Sequence, residues 1–234
     1  FYQRYIVPFG ELLTDMERVG IVVRAAARHQ CPDRVQAAKA LLAKHPVDLI
    51  ISDDGLQHYG LERDVEILIV DGERGFGNGF CLPAGPLREP ISRLQTIDLV
   101  LVNGPNVNGS IPFDKETFRL DVEPTRLVNL GSGEEREADA LKDVQLTAIA
   151  ALGNANRFWA TLERLGYNYR SIEYPDHHAL NEDDLSVGDG IILLTEKDAV
   201  KVKYLNIKKE KIWYLEVEAI VQEEVMERIT GMLE

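Results

Sequence analysis

Short apolar runs separated by helical patterns leave few architectures open to this chain. The runs are GIVV (20–23), DLIIS (48–52), VEILIV (65–70) and IDLVLV (97–102). Such alternation is the signature of a mostly parallel sheet covered by helices, an α/β fold. Between the first two runs, DRVQAAKALLAKH (33–45) places Val35, Ala38, Leu41 and Leu42 on one helical face, and Pro46 ends the helix. Strand, helix and strand together make a βαβ unit.

Beyond residue 103 the character changes. Asn, Gly and Pro crowd 103–112, two short polar strands are expected at 118–122 and 126–130, and GSGEERE is acidic and turn-rich. We read 104–142 as a connector between a core domain, 1–103, and a smaller C-terminal α/β domain, 143–234. In the latter, QLTAIAAL (145–152) reads as a strand, followed by a helix lined by Phe158, Leu162 and Leu165 that Gly166 stops. GIILLT (190–195), KIWYLEV (211–217) and a terminal helix carrying Val221, Val225 and Ile229 complete the pattern. There is no internal repeat and no low-complexity tract.

Composition narrows the function classes. At 234 residues, 45% hydrophobic and 28% charged, the chain can bury a real core. Its formal net charge of −13 repels polyanions, so no nucleic-acid partner is expected. Cys31 and Cys81, fifty positions apart, read as buried thiols of a reducing compartment and not as a disulfide or a metal site. No apolar run approaches the ~18 residues of a membrane span, and the N-terminus lacks a signal pattern, so the chain by itself is expected to be soluble. It opens with Phe1 and not Met, which suggests that a longer protein begins upstream.

Ligands of open parallel sheets sit beyond the carboxyl ends of the strands. Asp53 and Asp54 follow DLIIS, and Asp71 follows VEILIV. Acids in that place hold Mg²⁺ in phosphoryl-transfer enzymes, although Asp is also a common turn residue. Adjacent carboxylates repel and are best tolerated beside a cation or donors, and Gly55, Gln57 and His58 follow directly. A second cluster, YPDHHAL (174–180), sets Asp176, His177 and His178 in a proline-marked turn, where an imidazole could serve as a base or a metal ligand. In LPAGPLREPISRL (82–94) the prolines forbid regular helix until after Pro90. That holds Arg88 and Glu89 on a stiff segment, suited to a phosphate and to Mg²⁺ respectively, or simply to a solvated ion pair. The glycines of GERGFGNG lead into Pro83 and Pro86 and not into a helix, which rejects a dinucleotide fingerprint. In LLTEKDAVK (193–201), Thr195 and Asp198 have the spacing of a helix cap; Lys197 near a nucleotide is the alternative.

Taken in order, CPDRVQAAKALL, IISDDGLQHYGLERDVEILIVDGERGFGNG, LPAGPLREPISRL, DLVLVNG, RFWATLERLG, YPDHHAL and LLTEKDAVK closely resemble the tetraacyldisaccharide 4'-kinase family of lipid A biosynthesis. The resemblance implies a P-loop-NTPase-like kinase that moves the γ-phosphoryl group of ATP, with Mg²⁺, to the 4'-hydroxyl of a lipid-linked glucosamine disaccharide. The implied location is the cytoplasmic face of the bacterial inner membrane. It further implies that Asp53 and Asp54 are the acids at the Walker B strand, Glu89 a further metal-side carboxylate and Arg88 a phosphate contact, with Gln57 and His58 on the substrate side. His177 takes the place of the catalytic histidine that pairs with an aspartate, and His178 a less restricted place.

The chain also departs from that family. No G-x-x-x-x-G-K-[ST] loop occurs, so the donors that cradle the β- and γ-phosphates are missing. The membrane-associating N-terminal helix that the resemblance implies is likewise expected to lie outside the given residues. Where the aspartate of the dyad should fall, the chain reads Thr14-Asp15-Met16, leaving Asp15 as the candidate. The expectation is therefore a fragment or divergent copy that does not bind ATP tightly. Two other readings stand beside it: a metal-dependent hydrolase with Asp53, Asp54, His58 and His177 as ligands, and a catalytically dead module that keeps the acceptor surface.

Overall fold

The computed structural model describes residues 33–44, 48–52, 54–105, 115–176, 178–187 and 190–233. They fall into two compact units, one made of the described residues up to 122 together with those from 219 onward, the other of the described residues between 123 and 218. Asp15, Asp53 and His177, together with the run at 20–23 and Pro46, lie outside the described residues.

In the first unit, helix α1 (Arg34–Lys44) starts where the Asp33 carboxylate accepts the backbone N–H groups of Val35 and Gln36. The expected apolar face is only partly realised: Val35, Ala38 and Leu41 are half-buried, but Leu42, in the last turn, is 54% exposed. Strands β1 (Ile67–Asp71) and β2 (Leu99–Asn103) pair in parallel from Ile67 with Leu99 to Asp71 with Asn103, and the start of β3 (Phe118–Asn129) adds in parallel to β2.

Side chains alternate across this sheet. Leu99, Leu101, Phe118 and Leu120 face Val225, Met226 and Ile229 of the terminal helix, while Leu68, Val70 and Val100 face Phe76, Leu87, Leu94 and Ile97. DLIIS is not the strand its composition suggests. Residues 48–52 join no ladder among the described residues, yet Leu49 and Ile51, like Ile67 and Ile69, pack against the cluster around Leu99, Leu101 and Val225. The segment is only partly covered, with Leu49 and Ile51 half-buried and Ile50 38% exposed, so its apolar character announces neither full burial nor pairing.

The second unit is built on β5 (Leu146–Ala150), β6 (Tyr169–Glu173), β7 (Ile191–Thr195) and all but the last three residues of β8 (Ile212–Val221), with parallel pairs β5–β6, β5–β7 and β7–β8. The short β4 (Glu135–Glu137) runs antiparallel to the end of β3. Helix α2 (Asn156–Arg164) covers one face through Phe158 and Leu162. The other face receives Leu185 of α3 (Glu182–Leu185) and Ala199 and Val202 of α4 (Glu196–Val202).

Gly166 stops α2 as its composition predicts. Its φ of 78° is open to glycine at little cost, and the next amide, that of Tyr167, turns back to the Leu162 carbonyl at 3.0 Å. The two polar strands expected at 118–122 and 126–130 are one continuous strand, with Pro124 lying between the segment paired to β2 and the segment paired to β4. The terminal helix α5 (Glu223–Leu233) follows β8 directly; Val221 belongs to the strand and Met226 joins Val225 and Ile229 in the core.

The expected α/β class, a mostly parallel sheet flanked by helices, is what these units display. Among the described residues, no helix is long and apolar enough to cross a membrane.

Candidate functional site

Two loops leave adjacent segments of the first unit and meet. The first begins at Asp54, whose φ of 52° puts a non-glycine residue in the left-handed region, a conformation Asp adopts more readily than most. Gly55 follows under crowding: a Cβ there would lie 2.8 Å from the Ser52 hydroxyl, which itself accepts from Arg34 at 2.6 Å. The His58 amide closes a turn on the Gly55 carbonyl at 2.9 Å, and the Arg63 guanidinium donates to the carbonyls of Gly55 and Leu56 at 2.8 and 3.0 Å. Arg63 is held in turn by Glu66, which also receives Arg93 at 2.6 Å. With Leu56 packed into the core beneath, the loop is fixed on both sides.

The second loop, 72–90, carries the proline-rich segment. Buried Leu87 anchors it, and the 3-10 helix Ile91–Thr96 begins only after Pro90, as the prolines predict. Arg88 is exposed and Glu89 half-buried. The contact between the loops is made at Glu89: Gln57 Nε2 donates to its Oε2 at 3.1 Å, and the Tyr59 hydroxyl donates to its Oε1. Tyr59 was not singled out in the sequence, although it directly follows His58. The guanidinium of Arg63 lies 5.6 Å from its ring centre and that of Arg93 5.9 Å.

Gln57 and Glu89, two of the expected site residues, are thus in direct contact. Asp54 and His58 stand exposed on the same loop as Gln57, and Arg88 is exposed next to Glu89. Of the four ligands required by a metal-dependent hydrolase, Asp54 and His58 are described, and among the described residues no group of three or more His, Cys, Asp or Glu is placed to hold a metal ion.

In the second unit the YPDHHAL segment leads into α3. His178 Nε2 lies 2.8 Å from Asp184 Oδ2, and its ring stacks on Tyr174 with centroids 4.5 Å apart and planes 7° from parallel. Asp184 also accepts the Asn181 amide at 3.0 Å, completing a reciprocal cap in which Asn181 Oδ1 accepts from Asp183 and Asp184. Burial pushes the Asp184 carboxyl up, but hydrogen bonds from His178, the Asn181 amide and Tyr174 outweigh it and hold the group below its ordinary value. An Asp-held imidazole therefore exists here at His178, the histidine given the lesser place. Its partner lies six positions on, across a turn, where no sequence spacing announces it.

The capping reading of LLTEKDAVK is what the geometry displays. Asp198 is fully buried, its amide bonded to Thr195 Oγ1 at 3.2 Å, and its carboxylate accepts from the Ala151 amide at 2.9 Å, the Thr195 hydroxyl at 2.8 Å and Lys201 at 2.9 Å. Lys197 reaches Asp176 of YPDHHAL at 3.3 Å.

Comparison with known proteins follows the same segments. The sequence profile of a family described as Tetraacyldisaccharide-1-P 4'-kinase matches residues 21–234. A tetraacyldisaccharide 4'-kinase of Legionella pneumophila (strain Corby) is 45% identical over 188 residues, 80% of this chain and 55% of the relative. One from Hahella chejuensis is 42% identical over 203 residues, 86% of this chain and 58% of the relative. The chain thus spans little more than half the length of these curated relatives. Among solved structures, the "apo" form of LpxK from Aquifex aeolicus in complex with ATP is similar at a TM-score of 0.68 and 27% identity, over 86% of this chain and 62% of that one. With a profile match running from residue 21 to residue 234, the chain belongs to the tetraacyldisaccharide-1-P 4'-kinase family.

Proposed function

We propose that the protein of which this chain forms part transfers the γ-phosphoryl group of ATP to the 4'-hydroxyl of a tetraacylated glucosamine disaccharide at the cytoplasmic face of the inner membrane. The observation that carries the reading is the Gln57–Glu89 contact, which brings the DDGLQH and PLRE segments of the family's motifs into one locus. Family membership and the ATP bound to the similar Aquifex aeolicus structure support it.

The roles follow from chemistry. Mg²⁺ is a hard ion held by one or two carboxylates together with phosphate and water, so oxygen donors from Asp53, Asp54 and Glu89 suit it without a dedicated cage. When bound, the ion would offset charge on the β- and γ-phosphates. Gln57 and Tyr59 hold the Glu89 carboxylate in one orientation, which spares it reorganisation during transfer. Exposed Arg88 would meet a phosphate oxygen, and His58 and Gln57 would border the substrate. His177, paired with Asp15, would accept the proton of the attacking hydroxyl.

The test is transfer from γ-labelled ATP to tetraacyldisaccharide 1-phosphate by the full-length protein. Label should appear at the 4'-position, depend on Mg²⁺, and fall by roughly a hundredfold or more in Asp53→Ala and Asp54→Ala. Undiminished transfer by those variants overturns the assignment of the acids, and acceptor binding without any transfer favours the catalytically dead module.

A further inference from the structure

The loop that delivers Glu89 also displays an exposed apolar tip. Residues 75–87, GFGNGFCLPAGPL, include no charged side chain in a chain of net charge −13. Two of the large apolar groups stand in solvent, Phe80 at 63% and Leu82 at 58% exposure. Isolated exposed apolar residues are ordinary, but here the backbone that carries them is built firmly.

Phe76 and Leu87 are buried at either end. The Leu82 amide donates to the Leu87 carbonyl at 2.8 Å, and the Leu87 amide donates to the Phe80 carbonyl at 3.2 Å. Asn78 latches the interior, its Nδ2 donating to the Ala84 carbonyl at 2.8 Å and its Oδ1 accepting the Phe80 amide at 3.1 Å. Gly85 is required by the closeness of this packing, since a Cβ there would overlap Asn78 Oδ1 and the Phe80 carbonyl oxygen. A firm loop holding two apolar groups outward loses little conformational freedom when they are buried by a partner.

We propose that Phe80 and Leu82 form a lipid-docking surface that inserts among the acyl chains at a bilayer face, beside the site at Glu89; the inference rests on the kinase reading above. Three observations select lipid over other occupants. Cys81 and Leu87 are bridge partners, so the apolar pair lies alongside Leu87, Arg88 and Glu89. Apolar tip and ionic residues adjoin in the order that acyl chain and phosphorylated sugar adjoin in a glycolipid. The acidic surface elsewhere opposes approach to an anionic membrane, whereas this segment is uncharged and ends at an exposed arginine. The relatives' own description, tetraacyldisaccharide, specifies an acylated acceptor.

The experiment is co-sedimentation of the full-length protein with vesicles of phosphatidylethanolamine and a minor fraction of phosphatidylglycerol. It compares the parent with the double variant F80S/L82S and with Val144→Ser, an exposed apolar control in the other unit. The apparent vesicle affinity should fall about tenfold in the double variant and stay at the parent value in the control. In a Phe80→Trp variant, tryptophan emission should shift to the blue on adding vesicles, a readout that reports insertion whatever the fate of the double variant. Equal binding by parent and double variant, or no emission shift, overturns the inference; so does vesicle-free self-association abolished by F80S/L82S, which would assign the tip to a second copy. Normal phosphoryl transfer with vesicle binding that ignores both residues removes the docking surface and leaves the kinase. Insertion of Phe80 without any transfer does the reverse.

Discussion

Gln57 Nε2 donates to Glu89 Oε2 at 3.1 Å, joining two loops whose sequence positions are 32 residues apart. The bond leaves Glu89 with one donor on each oxygen, since Tyr59 occupies the other. Gln57→Ala should therefore lower kcat of the full-length protein by about tenfold, and Glu89→Ala by about a hundredfold or more, with KM for ATP moving less in the first than in the second. Steady-state kinetics at saturating acceptor reads both.

The His178–Asp184 pair predicts an acid limb of stability. Because the folded state holds the Asp184 carboxyl below its ordinary value, the carboxylate stabilises the fold at pH above about 4 and loses that contribution as pH falls through the lowered value. Asp184→Asn should be less stable near neutral pH by about 1 kcal/mol, unfold at lower temperature there, and show a flatter decline toward acid. Thermal unfolding followed from acid to neutral pH tests this.

Glu196 predicts the opposite sign. Burial chiefly, with Glu216 adding, raises its carboxyl above the ordinary value, although Arg126 opposes them. Its Oε2 is buried and has no hydrogen-bond partner among the described residues. The native state binds the proton more tightly than the unfolded chain, so stability declines as pH rises from about 4.3 through the raised value. Glu196→Gln should leave stability near pH about 4 almost unchanged and increase it at neutral pH. A neutral-pH stability at or below the parent's would refute this.

Asp198 is a structural acid and should behave as one. Asp198→Ala strips the Ala151 amide, the Thr195 hydroxyl and Lys201 of a common partner and should cost roughly 3 kcal/mol or more. Asp198→Asn retains an acceptor for Ala151 and should cost less. Denaturant unfolding of the three proteins ranks them.

The sequence made legible whatever rested on continuous apolar character. β2, β5 and β7 are nearly or wholly buried and were visible as unbroken apolar runs. β6, reading YRSIE, has no fully buried residue and hence no apolar run to betray it. DLIIS carries the same apolar pattern as true strands, yet it is only half-buried and joins no ladder among the described residues. Family motifs located Gln57 and Glu89, and Tyr59 escaped because its hydroxyl contact is made across thirty positions by the folded loops alone. Residues 219–234 fold with the first unit, an association set by the long strand β8, where sequence order suggests the second.

One amide deserves an experimenter's eye. The Ala151 N–H, at the exit of β5, has its acceptor not in the sheet but on Asp198, 47 positions later and at the start of α4. Hydrogen exchange at that lone proton would then clock the loosening of a helix in which Ala151 takes no part, giving a built-in gauge of how tightly two neighbouring strand ends are laced.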